Sequence, residues 1–404
     1  MNRDSGAEPL RLRGADWFDV RSGEVSRRDL LIRDGAIAVD DGGDAKDIDV
    51  TGRTVLFGLW DCHAHPGGLM YDPDGTGWFE GPADRTIRAG LNLQQAAQMG
   101  VTGVRCVDET DGIDLAWSRW FGAGSAQGPR VLGAGRGIRT TAGHGTRYPR
   151  SYTRLEGELV IDGPVEAVRA VRTELERGAH WIKIMLTGGL MSEHETVDGG
   201  QFSDTELVAL MEVANLRGIP VAAHCGGAEP ARRFSELGGR SVEHGYRLDE
   251  RAAATMAANG TWLVPTVSVT HDQEFIAAEG WPAHAAERAR AAMPAHAESL
   301  HACMEAGVGI AVGADLNPIG PRLHRELAML ERAGMERLAV LAAATVGGRA
   351  LNGLGSSSLP EPGLEADVIV VDGSPMDDLG VLARPSVVIV EGRLIRLGGT
   401  DSPD

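Results

Sequence analysis

Short runs of apolar residues alternate with turn-forming residues at both ends of the chain. Near the start, DLLIRDGAIAVDDGG and KDIDVTGRTVLFG place apolar positions between Asp-Gly, Gly-Gly and Thr-Gly pairs. This pattern is typical of short strands in an antiparallel meander. The far end repeats the pattern in ADVIVVDGSP and SVVIVEGRLIRLGG. We therefore predict that residues 1–57 and 356–404 fold together into one small β-sandwich domain.

The middle of the chain has a different pattern, in which apolar runs of strand length alternate with helical stretches. The predicted strands are Val55–Cys62, Val101–Val107, Val131–Ile138, Trp181–Leu186, Ile219–Cys225, Ser241–His244, Trp262–Val267 and Val308–Ala314. The predicted helices are Arg85–Met99, Val165–Arg177, Thr205–Arg217, Glu229–Leu237 and the alanine-rich Ala283–Ala306. Eight short strands separated by helices predict an α/β fold, a (β/α)8 TIM barrel, over residues 58–355.

Composition narrows the class of protein. Hydrophobic residues make up 43% of the 404 residues and charged residues 24%, which is typical of a soluble globular protein. The net charge of −18 disfavours nucleic acid or an acidic membrane as a partner. The chain has no apolar run long enough for a membrane span, and its start lacks the apolar core of a secretion signal. Four cysteines without paired spacing lead us to expect a protein of the reducing cytoplasm.

The first predicted barrel strand ends in Asp61-Cys62-His63-Ala64-His65. Active-site residues of such barrels come from the carboxyl ends of the strands. Residues two apart on a strand point to the same face, so His63 and His65 can reach one point. Taken alone, the pair is equally consistent with two solvated loop histidines.

Further polar residues end predicted strands five, six and eight: His224 after VAA, His244 in VEHG and Asp315 in GAD. Each residue alone could be an ordinary cap at a strand end. Together with His63 and His65 they bring five such side chains to the ends of one predicted barrel. Imidazole and carboxylate are a suitable ligand set for zinc or a similar divalent ion.

Lys183 lies within the apolar run WIKIML, which predicts a buried strand. Lysine is rarely buried without a partner, because removing an ammonium from water is costly. Its stem could extend out through the strand end. Alternatively, burial and nearby cations would lower its pKa, and the neutral amine could take up carbon dioxide to become a carbamate.

These motifs resemble the amidohydrolase superfamily, and in particular its prolidase-like, imidazolonepropionase-related branch. The resemblance covers nearly the whole chain and rests on DCHAH, WIKIMLTGGLMS, AAH, VEHG, GAD and the C-terminal SLPEPGLEADVIVVDGSP. It implies two divalent metal ions, with zinc expected. His63, His65 and Asp315 would hold one ion, His224 and His244 the other, and a carboxylated Lys183 would bridge them.

The resemblance also implies a mechanism, in which a metal-bridging hydroxide attacks a polarised carbonyl and Asp315 carries its proton to the departing amine. In relatives of this branch a Gly-His-Gly after the third strand places a histidine over the substrate. His144 is therefore a candidate donor to the carbonyl oxygen, although it could instead cap a turn. Arg147, Tyr148 and Tyr246 are candidate pocket residues, with plain surface roles as the alternative. His271, His284, His296 and His301 show no ligand spacing and are interpreted as surface or helix residues.

Many dipeptide-cleaving relatives carry a tyrosine shortly after the strand-five histidine, whereas this chain has Cys225-Gly226-Gly227. This small patch weakens the case for a free substrate carboxylate and suggests room for a bulkier acyl or aryl group. The expected substrate is a small molecule with an amide bond, such as an Xaa-Pro dipeptide, an N-acyl amino acid or an aryl amide. Alternatives are a carbamate, a urea or a cyclic amide, deamination, or a non-catalytic binding protein. Deaminases of this superfamily typically lack the strand-four lysine, so Lys183 argues against deamination. We also expect a homo-oligomer.

Overall fold

The computed structural model describes residues 8–68, 80–145, 159–191 and 195–398. Two candidate pocket residues, Arg147 and Tyr148, lie outside these described residues. The strands are β1 (Leu10–Phe18), β2 (Val25–Arg33), β3 (Ala36–Ala38), β4 (Lys46–Asp49), β5 (Thr54–Phe57), β6 (Leu59–Ala64), β7 (Val101–Cys106), β8 (Arg130–Gly133), β9 (Ile138–Thr140), β10 (Leu159–Ile161), β11 (Ile182–Met185), β12 (Val221–Gly227), β13 (Ser241–Arg247), β14 (Trp262–Val264), β15 (Val368–Val371), β16 (Val387–Val390) and β17 (Arg393–Leu397). The helices are α1 (Pro82–Gln98), α2 (Ile113–Gly122), α3 (Pro164–Arg177), α4 (Asp204–Leu216), α5 (Ala228–Glu236), α6 (Glu250–Asn259), α7 (Ser268–His271), α8 (Gln273–Ala278), α9 (Ala283–Glu305), α10 (Ile319–Arg332), α11 (Arg337–Ala342) and α12 (Gly348–Leu351).

Strands from both ends of the chain share one sheet, in the order β17-β16-β15-β5-β1-β2-β3, with β4 also paired to β1. The connection between the two ends is the antiparallel pair β5–β15, in which Val55 lies opposite Val370. The predicted antiparallel meander is correct for β1–β2–β3 but wrong for β4 and β5, which run parallel to β1. The chain crosses back between these strands instead of turning in a hairpin, and parallel strands require such a crossover.

The middle of the chain forms parallel sheets and helices, a mixed α/β arrangement of the TIM-barrel type. One sheet has the order β10-β9-β11-β12-β13-β14 and another the order β6-β7-β8. The predicted strand Val55–Cys62 is divided at Gly58, where β5 belongs to the end sheet and β6 to a parallel sheet. A Cβ at Gly58 would lie 2.1 Å from Thr102 Cγ2, so only glycine allows this close passage.

The predicted eighth strand, Val308–Ala314, was wrong as a regular strand, since the structure has only a parallel bridge between Ile310 and Leu263 there. The main chain of this segment instead bonds to both sides. On one side Leu263 N–H donates to the Gly309 carbonyl at 2.9 Å, and on the other Cys62 N–H donates to the Val312 carbonyl at 2.8 Å. The segment therefore bonds to both β14 and β6, although its regular strand pairing among the described residues is limited to the bridge at Ile310.

Local signals set the ends of several helices. Proline occupies the first turn of α1 and α3, where its missing N–H has no helical partner in any case. A capping box begins α4, because Ser203 and Glu206 each accept a bond from the other's main-chain N–H. The predicted helices agree with these elements to within a few residues at each end. Among the helices in the described ranges, none is both long enough and apolar enough to cross a membrane.

Candidate metal centre

The candidate ligands come together at the carboxyl ends of the parallel strands. His63 is on β6, His224 on β12 and His244 on β13. His65 directly follows β6, and Asp315 follows the irregular segment 308–314. Parallel strands end on the same side of their sheet, so neighbouring strands bring these side chains into one region.

His63, His65 and Asp315 form a compact group that could hold a metal ion. Their donor atoms lie within 4.8 Å of one another. Asp315 Oδ1 is 3.0 Å from His65 Nε2 and 3.4 Å from His63 Nε2. Burial opposes ionisation of Asp315, but His63 and His65 outweigh it and hold the pKa of this carboxyl below its usual value. The group thus offers a carboxylate between two imidazole nitrogens.

His224 and His244 lie beside this group. Their ring centroids are 4.6 Å apart, and His244 Nδ1 is 3.9 Å from Asp315 Oδ2. Burial lowers the pKa of His63, His224 and His244 well below its usual value. A neutral imidazole keeps a lone pair free for a metal ion, so the donor chemistry of this cluster fits a divalent cation.

Lys183 lies on β11 with 1% of its surface exposed. Burial lowers its pKa to about 8, although the nearby carboxylates of Glu243 and Asp315 favour the charged form. A substantial fraction of this amine is therefore neutral just above neutral pH. The sequence left open the alternative that the lysine stem extends out to solvent. The burial of Lys183 rules this alternative out.

Three non-glycine residues at or beside the candidate ligands have positive φ. His244 has φ 68°, Thr266 48° and Asp315 61°. Such conformations cost about 1–3 kcal/mol each and persist only where the surrounding structure holds them. For Asp315, the main-chain N–H donates to the His63 carbonyl at 2.8 Å, which ties the two candidate ligands together.

Several residues that contact the candidate ligands were not identified from the sequence. Glu243 lies 2.7 Å from His63 Nδ1, and Thr266 Oγ1 lies 2.7 Å from His244 Nδ1. Asp61 Oδ1 accepts from the N–H groups of His63 and Ala314, both at 3.1 Å. One signal was available for Glu243, since it is a charged residue inside the predicted strand Ser241–His244, as Lys183 is inside its own predicted strand.

His144 lies against the ligand cluster, with its ring stacked on His224 at a centroid distance of 4.0 Å. Its Nδ1 lies 2.9 Å from Glu195 Oε2, and its main-chain N–H donates to Gln201 Oε1 at 2.7 Å. The loop after β11 therefore orients a histidine from the loop after β9. Tyr246 is buried and stacked on His244 at 5.3 Å, and burial raises its pKa well above the usual value.

The glycines after His224 have a different role from the one suggested by the sequence. A Cβ at Gly226 would lie 2.2 Å from the Val197 carbonyl oxygen, and one at Gly227 would lie 2.9 Å from the Asp198 carbonyl oxygen. The main chain of the loop after β11 fills this space. The interpretation that Gly226 and Gly227 leave room for a bulky substrate group was therefore wrong, because they permit two main-chain segments to pack closely.

Comparison with known proteins gives consistent matches over most of the chain. The model of the amidohydrolase family matches residues 54–395. Ochratoxinase of Aspergillus niger is 31% identical over 356 residues, covering 83% of this chain and 73% of that protein. Its crystal structure has a TM-score of 0.82 at 29% identity and covers 97% of this chain and 96% of that chain.

Two further crystal structures are similar over nearly their full length. A Xaa-Pro dipeptidase with methionine bound in its active site has a TM-score of 0.85 at 29% identity, covering 96% of this chain and 99% of that one. A prolidase complexed with N-methylphosphonate-L-proline has a TM-score of 0.85 at 28% identity, covering 96% and 100%. The chain therefore belongs to the amidohydrolase family and is a hydrolase.

Proposed function

We propose that this hydrolase cleaves the amide C–N bond of a small molecule at a centre of two divalent metal ions. The observation that carries the proposal is the position of Asp315, whose carboxylate is within 4 Å of imidazole nitrogens of His63, His65 and His244. Such convergence of imidazole nitrogens on one carboxylate matches the ligand chemistry of zinc. The proposed ligands are His63, His65, Lys183, His224, His244 and Asp315.

The ligands divide into two sets. The compact group of His63, His65 and Asp315 would hold one ion, and His224 with His244 would hold the other. Lys183 would bridge the two as a carbamate, formed when its neutral amine adds to carbon dioxide and releases a proton. Its burial and lowered pKa favour that reaction, because only the uncharged amine is a nucleophile.

The bound metal ions would lower the pKa of a water molecule and polarise the substrate carbonyl. The remaining steps fall to residues of the chain. Asp315, at the centre of the cluster, would accept the proton of the attacking water and deliver it to the amine that leaves. His144 would face the carbonyl oxygen. Its Nδ1 lies 2.9 Å from Glu195 Oε2, which would leave Nε2 to face the developing negative charge.

The substrate class follows from the relatives and from the chain's own residues. The relatives named ochratoxinase and Xaa-Pro dipeptidase favour an amide of an amino acid, so we propose an N-acyl amino acid, an Xaa-Pro dipeptide or an aryl amide. Arg147, Tyr148 and Tyr246 remain the proposed pocket residues. Because main chain fills the space at Gly226 and Gly227, selectivity for the acyl group has to come from other parts of the pocket.

We further propose that the parallel strands close into one (β/α)8 barrel over residues 58–355. Segment 308–315 would be its eighth member, supported by its main-chain bonds to Leu263 on one side and to Cys62 and His63 on the other. Residues 1–57 and 356–404 would form the sandwich domain. A bulge between Leu12 and Ala15 supports two layers, since a bulge bends a strand that passes from one layer to the other.

Metal removal and reloading test the proposed centre. Protein stripped by a chelator should lose amide hydrolysis and regain it with zinc, manganese or cobalt, and the loaded chain should hold two ions. The assay panel contains Xaa-Pro dipeptides, N-acyl amino acids, aryl amides, carbamates and ureas. About one tightly held ion per chain would instead favour a deaminase, and loaded protein inactive on the whole panel would favour a binding protein.

The bridging role of Lys183 has a matched control, because Lys46 is the chain's other lysine and is exposed. Lys183→Ala should abolish turnover and remove a lysine carbamate signal from ¹³C NMR spectra recorded in labelled bicarbonate. Lys46→Ala should leave both unchanged. A fully active Lys183→Ala variant would contradict the proposal.

A further inference from the structure

Beneath the candidate ligands lies a charged pair, Arg105 and Glu243, with no exposed surface on either residue. Arg105 is on β7 and Glu243 on β13, where Glu243 directly precedes His244. Both Oε atoms of Glu243 lie 2.8 Å from one terminal nitrogen of Arg105. The pair thus joins two strands in the interior, below the level of the ligands.

The carboxylate of Glu243 is fully engaged. Its Oε1 accepts from Arg105 and from the Ser241 hydroxyl at 2.5 Å, and its Oε2 accepts from Arg105 and lies 2.7 Å from His63 Nδ1. A carboxylate has about four acceptor positions, so these four bonds use them all. Since a carboxylate can only accept, the hydrogen between Glu243 and His63 belongs to His63 Nδ1.

Arg105 is equally restrained. Its Nε donates to the Cys62 carbonyl at 2.5 Å, one terminal nitrogen donates to Ser241 Oγ at 2.7 Å, and its guanidinium lies over the Trp181 ring at 4.5 Å. These partners come from the strand that carries His63, the strand that carries His244, and the residue just before β11. The guanidinium therefore fixes where the Glu243 carboxylate lies relative to His63.

We propose that Arg105 and Glu243 are a positioning pair that keeps Nδ1 of His63 protonated and directs its Nε2 lone pair toward the metal ion shared with His65 and Asp315. The inference rests on the ligand set of the proposed function. With Nδ1 donating to Glu243, Nε2 is the only ring nitrogen left to bind a metal, and it is the one that lies 3.4 Å from Asp315 Oδ1. Partners of this kind orient a ligating histidine and make it more basic.

A purely structural role is the competing explanation. Buried ion pairs often contribute little net stability, because desolvation offsets their attraction. Removing one partner nevertheless destabilises a fold strongly, because it leaves an unpaired buried charge. A loss of activity in a single variant would therefore not distinguish positioning from unfolding, and the test needs a charge-neutral variant and a control pair.

The variants are Glu243→Gln and the double variant Arg105→Met/Glu243→Leu, which removes both charges together. The control is Glu174→Gln, which disrupts the ion pair between Glu174, which is also fully buried, and the partly exposed Arg136. Among the residues that the structure describes, neither Glu174 nor Arg136 forms a hydrogen bond or ion pair with a proposed ligand. Metal affinity is measured by competition between the protein and a chelator. The absorption spectrum of the cobalt-loaded protein shows which of the two sites loses its ion. The tautomer of His63 is read from ¹⁵N NMR of the metal-free protein, with the signal assigned by its loss in His63→Gln.

In metal-free wild-type protein, His63 should be protonated on Nδ1. Both Glu243 variants should lower metal affinity at one site by about 10- to 100-fold, and the double variant should do so while remaining folded. Glu174→Gln should leave affinity and cobalt spectrum unchanged. The inference is overturned if His63 is protonated on Nε2, or if the folded double variant binds both ions as tightly as wild type. If wild-type protein binds no divalent ion, the proposed ligand set is overturned and this inference with it. If wild-type protein binds two ions and the variants bind them with the same affinity, this inference alone is overturned.

Discussion

His296 donates its Nε2–H to the main-chain carbonyl of His244 at 3.0 Å, across 52 positions of the chain. His296 is buried on α9, and its Nδ1 is 2.8 Å from the Thr270 hydroxyl. A carbonyl can only accept, so the direction of the bond is fixed. Because His244 has φ 68°, this bond helps to hold a candidate ligand in an uncommon backbone conformation.

Replacing His296 by leucine should therefore impair the metal centre from a distance. The His244 carbonyl loses its donor, so we expect kcat/KM to fall about 10- to 100-fold and stability to fall by about 1–3 kcal/mol. Steady-state kinetics and denaturant unfolding measure the two effects. His301→Gln is the matched control on the same helix, since His301 is exposed, and should stay within about 0.5 kcal/mol of wild type. Wild-type kinetics in His296→Leu would contradict the role assigned to this bond.

Gly313→Ala should disturb the segment that carries Asp315. A Cβ there would lie 2.7 Å from the His63 main-chain nitrogen and 2.6 Å from His63 Cβ. Overpacking of this kind costs about 1–3 kcal/mol, and here it also pushes Asp315 away from His63. Thermal unfolding and turnover should both decline.

The matched control for this substitution is Gly122→Ala at the end of α2, where a Cβ meets no atom within 4 Å. It should be neutral or slightly stabilising, because alanine favours helix more than glycine. Equal effects of the two substitutions would show that the close contact at Gly313 is unimportant.

His324 should make folding stability depend on pH. Its Nε2 donates to the Met99 carbonyl at 2.9 Å, its buried Nδ1 has no hydrogen-bond partner among the described residues, and burial lowers its pKa. The unfolded chain then binds a proton more readily than the folded chain, so stability is lost as pH falls below the usual histidine pKa of about 6.5. Glutamine can keep the donor and does not titrate. Urea titrations should show that His324→Gln loses less stability than wild type between pH 8 and pH 5. Equal losses of stability in the two proteins would refute the role of His324.

The four thiols should be unreactive in the folded protein. All four cysteines are free and buried, and burial raises the pKa of Cys303 to about 12. Because the thiolate is the reactive form, a maleimide or disulfide reagent should label the native chain far more slowly than the chain unfolded in guanidinium. Rapid labelling of any cysteine in native protein would contradict the burial of these side chains.

Some features of the site could be predicted because they depend on short stretches of sequence. Period-two spacing on a strand puts His63 and His65 on one face, and an apolar run followed by a polar residue identifies His224 and His244. Asp315 was identified in the same way, although its apolar run is not a regular strand. A buried lysine inside an apolar run also stands out without any knowledge of its neighbours.

Other features depend on contacts between distant segments. Nothing near His63 indicates that its Nδ1 would meet Glu243, 180 positions away. In the sequence, His296 is one of several polar residues on an alanine-rich helix. Its bond to the His244 carbonyl exists only because α9 packs against β13. The sequence likewise suggested open space at Gly226 and Gly227. In the structure the main chain at Val197 and Asp198 packs closely against them.

The sequence by itself determined which side chains are candidate ligands and that most of them lie at the ends of apolar runs, since periodicity and residue type are local properties. Only the tertiary structure decided which nitrogen of His63 faces Asp315, which residues hold the strained backbone of His244, and how segment 308–315 bonds to its neighbours. Those relationships depend on strand order and register, and on hydrogen bonds that form only when remote segments are brought within about 3 Å.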